Sequence, residues 1–369
     1  MNIRKSGSLA LLLLVPVSVA AEWLHWGEGA VFLTSALAIV PLAIWLSTAT
    51  EELAIALGPT LGALLTAVFG NASELIIGLT ALKAGLVEIV KASITGTLIA
   101  NLLLALGLAF LVGGIGRTEQ RFTPTVARVN GSLMTLAVLA ILIPSINQLG
   151  LAGEMPVSDA AEQTFSQFVA WLLLVVYGLT LLFSLGTHRC LYEAAEAEID
   201  GSTAGPSGTT GHRPAVLPWL LVLLAATAAL AYESELFVGV LEPVTKSLGL
   251  GAVFTGVVLL PLLGGVAEFI TCVSLARRDK VDLSVSVALG STLLVALLVV
   301  PAMVLLSPLL GHPLTLRFSI GELLAVVTAV VVSNLVSLDG RSNWLEGVLL
   351  VATYLILGAG FAVQPSPLA

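Results

Sequence analysis

Gly70-Asn71-Ala72-Ser73-Glu74 lies inside one apolar run, Thr60 to Leu82, with the glutamate near its middle. A carboxylate that far from either polar flank is costly in hydrocarbon, so it marks a functional site that faces a partner or a water-filled cavity. A second stretch, Gly264-Gly265-Val266-Ala267-Glu268, sits the same way inside the run Gly249 to Ala276. The glutamates are 194 positions apart (268 minus 74). Sliding the chain by that offset, without gaps, also pairs Val87 with Val281, Glu88 with Asp282, Gly96 with Gly290 and Leu103 with Leu297. The chain carries the same device twice.

The surroundings are those of a membrane protein. Of 369 residues, 57% are hydrophobic and 10% charged, where a soluble domain carries about 25% charged residues. The mean hydropathy is +1.05. A net charge of -8 then says little about soluble partners, and no nucleic-acid partner is expected. Cys190 and Cys272 are too far apart in sequence to suggest a disulfide framework. The N-terminus mimics a signal peptide, with Arg4 and Lys5, an apolar run and then Ala20-Ala21. Keeping it as an uncleaved first span fits the helix parity better.

A span needs about 20 mostly apolar residues. The sequence offers eleven: Ser8 to Trp23, Ala30 to Thr48, Thr60 to Leu82, Ile89 to Val112, Val126 to Ile146, Phe165 to Ser184, Ala215 to Ala231, Leu250 to Ala276, Leu283 to Leu306, Ile320 to Leu338 and Trp344 to Val363. With a cytoplasmic N-terminus, Arg4, Lys5, Arg117, Arg121, Arg128, Arg189, Arg213, Arg277, Arg278, Lys280 and Arg341 fall inside. Only Lys83, Lys91, Lys246 and Arg317 fall outside, as the positive-inside bias requires. The outer loop with Glu154, Asp159 and Glu162 has no Lys or Arg.

On this topology the third span runs outward and the eighth inward, so the two copies are inverted. Inverted repeats with a site at the bilayer midplane are a secondary-transporter architecture. The expected fold is an all-α integral membrane protein of about eleven transmembrane helices that contains an inverted repeat. Its divisions are an extra helix at 1–29, a first repeat at 30–186 with its site motif at 70–101, a cytoplasmic linker at 187–213, and a second repeat at 214–369 with its motif at 264–301. The linker has an acidic part with Glu193, Glu196, Glu198 and Asp200, then a flexible Gly201 to Gly211. The acids read as a solvated helical face, or as a weak cation-attracting patch at the cytoplasmic mouth.

The buried residues can bind a hard cation or a proton. Calcium takes carboxylates and carbonyls as ligands. Glu74 and Glu268 supply the carboxylates, Asn71 and Asn101 amide oxygens, and Ser73, Thr97, Ser291 and Thr292 hydroxyls. Gly70, Gly264 and Gly265 loosen the helix before each glutamate and free carbonyls, which is tolerable only along a cavity or buried interface. Glycine and serine also pack membrane helices closely without any ligand role. Two carboxylates neutralise one divalent ion; without the ion they repel, and at least one takes up a proton. Competition of ion and proton for one site is the chemistry of an antiporter.

Enzyme readings find little. His25, His188, His212 and His312 sit near span ends or in the linker, with no metal spacing and no HExxH. Asp339, Arg341 and Asn343 read as a cytoplasmic turn with an ion pair. No catalytic residue and no cofactor is expected.

Phe69-Gly-Asn-Ala-Ser-Glu-Leu-Ile76 and Gly96-Thr-Leu-Ile-Ala-Asn-Leu-Leu-Leu104 resemble the first repeat of the calcium/cation:proton antiporter family, within the wider cation/calcium exchanger superfamily. Asp282-Leu-Ser, Gly290-Ser-Thr and Ala296-Leu-Leu-Val-Val-Pro301 resemble its second repeat, and Asp339-Gly-Arg-Ser-Asn-Trp-Leu-Glu-Gly347 a C-terminal signature. The acidic linker falls where the family has an acidic segment. The resemblance implies eleven spans in five-plus-five inverted repeats after an extra N-terminal helix, and export of calcium, as transported substrate, in exchange for protons; a plasma membrane is the expected location. The second repeat departs from the family's Gly-Asn-Ala-Ala-Glu-His: Gly265 stands for the asparagine, Phe269 for the histidine, and further on Leu294 for a glutamine. Sodium or potassium exchange on the same fold therefore stays open, as does a membrane sensor that binds cation without moving it. Glu268, flanked by Gly265 and Phe269, is expected to hold a proton more readily, and Glu74 to bind the ion more directly. Stoichiometry, affinity and association of copies are not legible.

Overall fold

The computed structural model describes residues 11–146, 158–187 and 215–363. Glu154, the acidic linker and its glycine-rich tail lie outside the described residues. Helix follows helix: α1 Leu14–Trp23, α2 Glu28–Leu57, α3 Pro59–Phe69, α4 Ala72–Lys83 and α5 Val87–Ile99. A π-helical stretch, Ala100–Ala105, joins α5 to α6 Leu106–Gly114. After β1 Gln120–Arg121 come α7 Pro124–Ile146, α8 Asp159–Leu182 and α9 Val216–Ser247. The second motif is built from α10 Ala252–Phe254, a π stretch Thr255–Leu259, α11 Leu260–Gly264 and α12 Val266–Arg277. Then follow α13 Val281–Leu294, a π stretch Val295–Val299, α14 Val300–Leu306, α15 Ile320–Ser337, β2 Arg341–Ser342 and α16 Trp344–Ala362.

Nine helices among the described residues are long and apolar enough to cross a membrane, and the bent pair Ala252–Gly264 with Val266–Arg277 makes a tenth if it is one span. α1 is a shorter apolar helix. Large apolar side chains such as Trp171, Leu172, Leu335 and Ile356 stand exposed, as lipid-facing positions of a spanning helix do. Two expected spans are longer than their apolar cores. The second runs on to Leu57, with Pro41 inside the helix, and the seventh to Ser247, which brings Glu233, Glu235 and Glu242 onto α9.

The chain divides into two compact units that do not follow its linear halves. One is Met1–Ser93, Ser207–Ala267 and Gln364–Ala369; the other is Ile94–Pro206 and Glu268–Val363. Each takes helices from both expected repeats. In the first unit α9 lies along α2, where Phe32 and Phe237 stack with ring centroids 5.1 Å apart. Glu235 of α9 holds Lys83 at the end of α4 with an ion pair of 2.8 Å.

In the second unit α16 lies against α6, α15 against α7, and α14 against α8. The α6–α16 approach depends on glycine: a Cβ on Gly347 would stand 2.2 Å from the Leu111 nitrogen, and one on Gly107 2.9 Å from the Leu350 Cβ. Small residues at such crossings let membrane helices gain dispersion energy where no hydrophobic drive exists. The expected turn around Asp339 is a two-residue antiparallel ribbon, Gln120 opposite Ser342 and Arg121 opposite Arg341. Glu119 accepts locally from Arg121 at 2.8 Å and across sequence from Arg341 at 3.4 Å. Asn343 and Glu346 form a capping box on α16, as Ser319 and Glu322 do on α15. The C-terminal signature is thus helix-starting chemistry.

Candidate functional site

The first half of the candidate site belongs to the first unit. α3 ends at Phe69, the chain turns through Gly70 and Asn71, and α4 begins at Ala72. Asn71 takes φ -121° and ψ 35°, outside the helical region. The turn puts Glu74 third in α4, in its first turn, where unpaired backbone N–H groups and aligned peptide dipoles favour negative charge. Glu74 is half-buried, and Asn71 and Ser73 are buried. The Ser73 hydroxyl lies 3.2 Å from Glu74 Oε2 and 3.2 Å from the Gly264 carbonyl oxygen, so its single proton serves one of them at a time. Glu74 Oε1 is buried and accepts no hydrogen bond among the described residues.

Gly264 is the last residue of α11, and the backbone bends by 59° between Ala252–Gly264 and Val266–Arg277. A helix end leaves carbonyls without intrahelical partners, which is the looseness that the glycines predict. The partner of Gly264, though, is Glu74. A Cβ on Gly264 would stand 3.1 Å from Glu74 Cγ and 3.7 Å from Glu74 Cδ. Gly70 and Asn71 form the turn that presents Glu74.

The second half belongs to the second unit. Glu268 is third in α12, as Glu74 is in α4, and is 9% exposed. Adding 194 to the bounds Ala72–Lys83 gives Val266–Arg277, so the two half-helices coincide under the sequence offset. Asn101, 1% exposed, is second in the π stretch Ala100–Ala105. A π turn is an insertion that re-aims side chains and recurs at functional sites. The second repeat has its own at Val295–Val299. Asn101 Nδ2 donates to Ser291 Oγ at 3.2 Å, and Asn101 Oδ1 is buried without a hydrogen-bond donor among the described residues.

Thr97 is buried one turn before Asn101. Thr292 spends its hydroxyl proton on the Ala288 carbonyl at 2.7 Å. α12 is keyed to α13 by Ser284 Oγ, which donates to the Cys272 carbonyl at 2.8 Å, a contact that nothing in the sequence signals. No group of three or more His, Cys, Asp or Glu side chains gathers at metal-ligating spacing among the described residues. Chemically, each half offers one carboxylate beside neutral oxygens: Gly264 carbonyl and Ser73 hydroxyl in one, Asn101 amide and Ser291 hydroxyl in the other. Such hard oxygens suit calcium or sodium far better than a soft metal.

Comparison with known proteins bears on which ion this is. Residues 28–186 and 218–361 match the family described as sodium/calcium exchanger protein. The chain is 50% identical to the Ca(2+)/H(+) antiporter of Aphanothece halophytica over 362 residues, 96% of each chain. It is 48% identical to that of Synechocystis over 97% of each. The Ca(2+)/H(+) antiporter ChaA of Bacillus subtilis is 37% identical, covering 94% of this chain and 96% of its own. Among solved structures, native YfkE superposes with a TM-score of 0.82 at 33% identity, over 97% of this chain and 100% of that one. The H+/Ca2+ exchanger CAX shares the fold, with a TM-score of 0.70 at 19% identity, over 97% and 92%.

Proposed function

Because the chain belongs to the sodium/calcium exchanger protein family, we propose that it is a secondary active transporter exchanging calcium for protons, exporting calcium from the cytoplasm by alternating access. The observation that carries this reading is the matched placement of Glu74 and Glu268, each third in a half-helix of the same register within an apolar segment. Two carboxylates balance either one divalent cation or two protons. Deprotonated and ion-free, both would stand as charges in low dielectric, so the ion-loaded and proton-loaded forms exclude one another.

In this reading Glu74, with the Gly264 carbonyl and Asn71, binds calcium directly. In the second unit Glu268, with Asn101, Ser291 and Thr97, offers a carboxylate and neutral oxygens of the same kind. The breaks at Gly70 and Gly264 supply carbonyl oxygens. The polar positions missing from the second repeat lower the number of ligands without removing either carboxylate. Relatives named as Ca(2+)/H(+) antiporters at 50%, 48% and 37% identity favour calcium over sodium or potassium, and transport over sensing. The topology that goes with the mechanism is eleven spans in five-plus-five inverted repeats, with the N-terminus in the cytoplasm and the protein in the plasma membrane.

The test uses everted vesicles energised to an acid interior and loaded with a pH-sensitive dye. Calcium should restore the dye signal, and sodium and potassium should not. Recovery with sodium alone would move the assignment to sodium exchange, and no response to any cation would overturn transport.

A further inference from the structure

α9 buries a third carboxylate that neither motif contains. Glu233 is 0% exposed in the interior of this 32-residue helix. Both its oxygens meet one polar atom, Ser18 Oγ of α1, at 2.6 and 2.5 Å. Ser18, also 0% exposed, has a second neighbour, the Val15 carbonyl one turn back at 3.2 Å. The neighbouring Ser234 hydroxyl is spent on the Leu230 carbonyl at 2.7 Å. The charged groups on elements packed against α9 are Glu22 on α1, Glu28, Glu51 and Glu52 on α2, and Glu74 and Lys83 on α4, with His25 in the α1–α2 connection. None makes a hydrogen bond or ion pair with Glu233, and Lys83 is held by Glu235 at 2.8 Å.

Proton accounting decides what this arrangement can hold. A carboxylate accepts at about four lone-pair sites, while a serine hydroxyl donates one proton. An ionised Glu233 would be a buried charge with a single neutral donor, which costs several kcal/mol. A neutral Glu233 closes the network: its O–H donates to Ser18 Oγ, and the Ser18 O–H donates to Val15. Every proton then has an acceptor and no charge is stranded. The glutamate itself calls for explanation, since glutamine would tie the helices together without an ionisable group, and an intramembrane acid of this kind points to proton handling. Its helix packs directly on α4, which carries Glu74, and the Lys83–Glu235 pair fastens the end of α4 two residues from Glu233.

Resting on the calcium:proton reading above, we propose that Glu233 is a third proton-binding carboxyl of this transporter, docked to α1 through Ser18 when the proton is on. When the proton leaves for water, the Ser18 hydroxyl turns from Val15 to the carboxylate. The remaining lone pairs then have no donor, so α1 loosens and water enters beside α9.

The experiment pairs a spectrum with a transport profile, both on the full-length protein. In pH-dependent infrared difference spectra, the carbonyl stretch of a protonated carboxyl group should be lost in Glu233→Gln. In Ser18→Ala it should persist at a shifted frequency, with its titration midpoint moved by about one pH unit, the size of one hydrogen bond. In everted vesicles Glu233→Gln should still respond to calcium, with its pH profile displaced from wild type. A spectrum of Glu233→Gln that superposes on wild type overturns the proposal, and so does an unchanged pH profile. If Glu233→Gln does not fold, an unmoved band and profile in Ser18→Ala overturn it instead. A wild-type chain that moves no calcium overturns the transport reading alone, because the infrared measurement still reports on Glu233.

Discussion

Alanine at Gly264 tests whether the Glu74 side chain works from the place where the structure holds it. The backbone at Gly264 ends a helix without a positive φ, so alanine adopts it and the effect reads out contact, not strain. The new Cβ would stand 3.1 Å from Glu74 Cγ and 3.7 Å from Cδ. Carbon pairs settle at about 3.5–4.0 Å, so the carboxylate must retreat by about half an ångström or more. Overpacking of this kind costs typically about 1–3 kcal/mol. At about 1.4 kcal/mol per tenfold, the calcium needed for half-maximal exchange should rise by about fivefold to about 150-fold. The assay is a calcium titration of dye recovery in everted vesicles, beside a thermal melt of the purified protein. Gly239→Ala is the control, because a Cβ there meets nothing within 4 Å on the exposed side of α9. If Gly264→Ala keeps the calcium dependence of wild type and melts normally, Glu74 does not contact calcium from this position, and the assignment of the first half-site fails.

Glu74→Gln and Glu268→Gln should each abolish calcium-driven exchange, and radiolabel binding should fall further for Glu74→Gln; exchange at the wild-type rate in either variant would make that glutamate structural. Asn101→Ala removes an amide oxygen and the 3.2 Å hydrogen bond to Ser291. It should weaken calcium binding by about tenfold or more, the size of a hydrogen bond to a charged group, as measured by isothermal titration. A reporter fused after Ala369 should read as external and one inserted near Gly205 as cytoplasmic; both on one side would refute the inverted topology. Ser319→Ala deletes the hydroxyl of the α15 capping box and should lower stability by about 1 kcal/mol with the calcium dependence of exchange unchanged.

The fold was legible where hydropathy alone decides it. An 18-residue window of apolar sequence has one fate in a bilayer, because every backbone group must be satisfied within the segment. The expected spans from the second onward accordingly overlap the observed helices. Helix ends were not legible. α9 continues past Ala231 through Glu233, Glu235 and Glu242 because burial or ion pairs take up each acid, Ser18 for the first and Lys83 and Lys246 for the other two. Hydropathy counts an acid as an end wherever it cannot see the partner. The division into two units was hidden for a related reason. The offset of 194 shows which residues correspond, whereas packing depends on which faces meet, and each unit draws on both repeats.

For the site, the sequence named the residues but not their partners. Placing the glycines before each glutamate was enough to foresee breaks in the third and eighth spans, since a helix interior with glycine loses stability and frees carbonyls. The side chain that each glycine lies against could not be read from the motif, where the nearest glutamate in sequence is the one that follows. Gly264 instead lies against Glu74, because α11 packs on α4 in the first unit. The π stretch around Asn101 had no sequence signal either, since Ala-Asn-Leu-Leu-Leu-Ala fits an ordinary helix equally well. An inserted residue is read only from the hydrogen-bond ladder. Once Asn101 sits in that insertion and donates to Ser291, its amide oxygen is left buried without a donor among the described residues. Glu74 Oε1 is in the same condition in the other half. A buried acceptor without a donor is costly unless something electropositive visits it, and calcium and a proton are the two visitors in the proposed exchange.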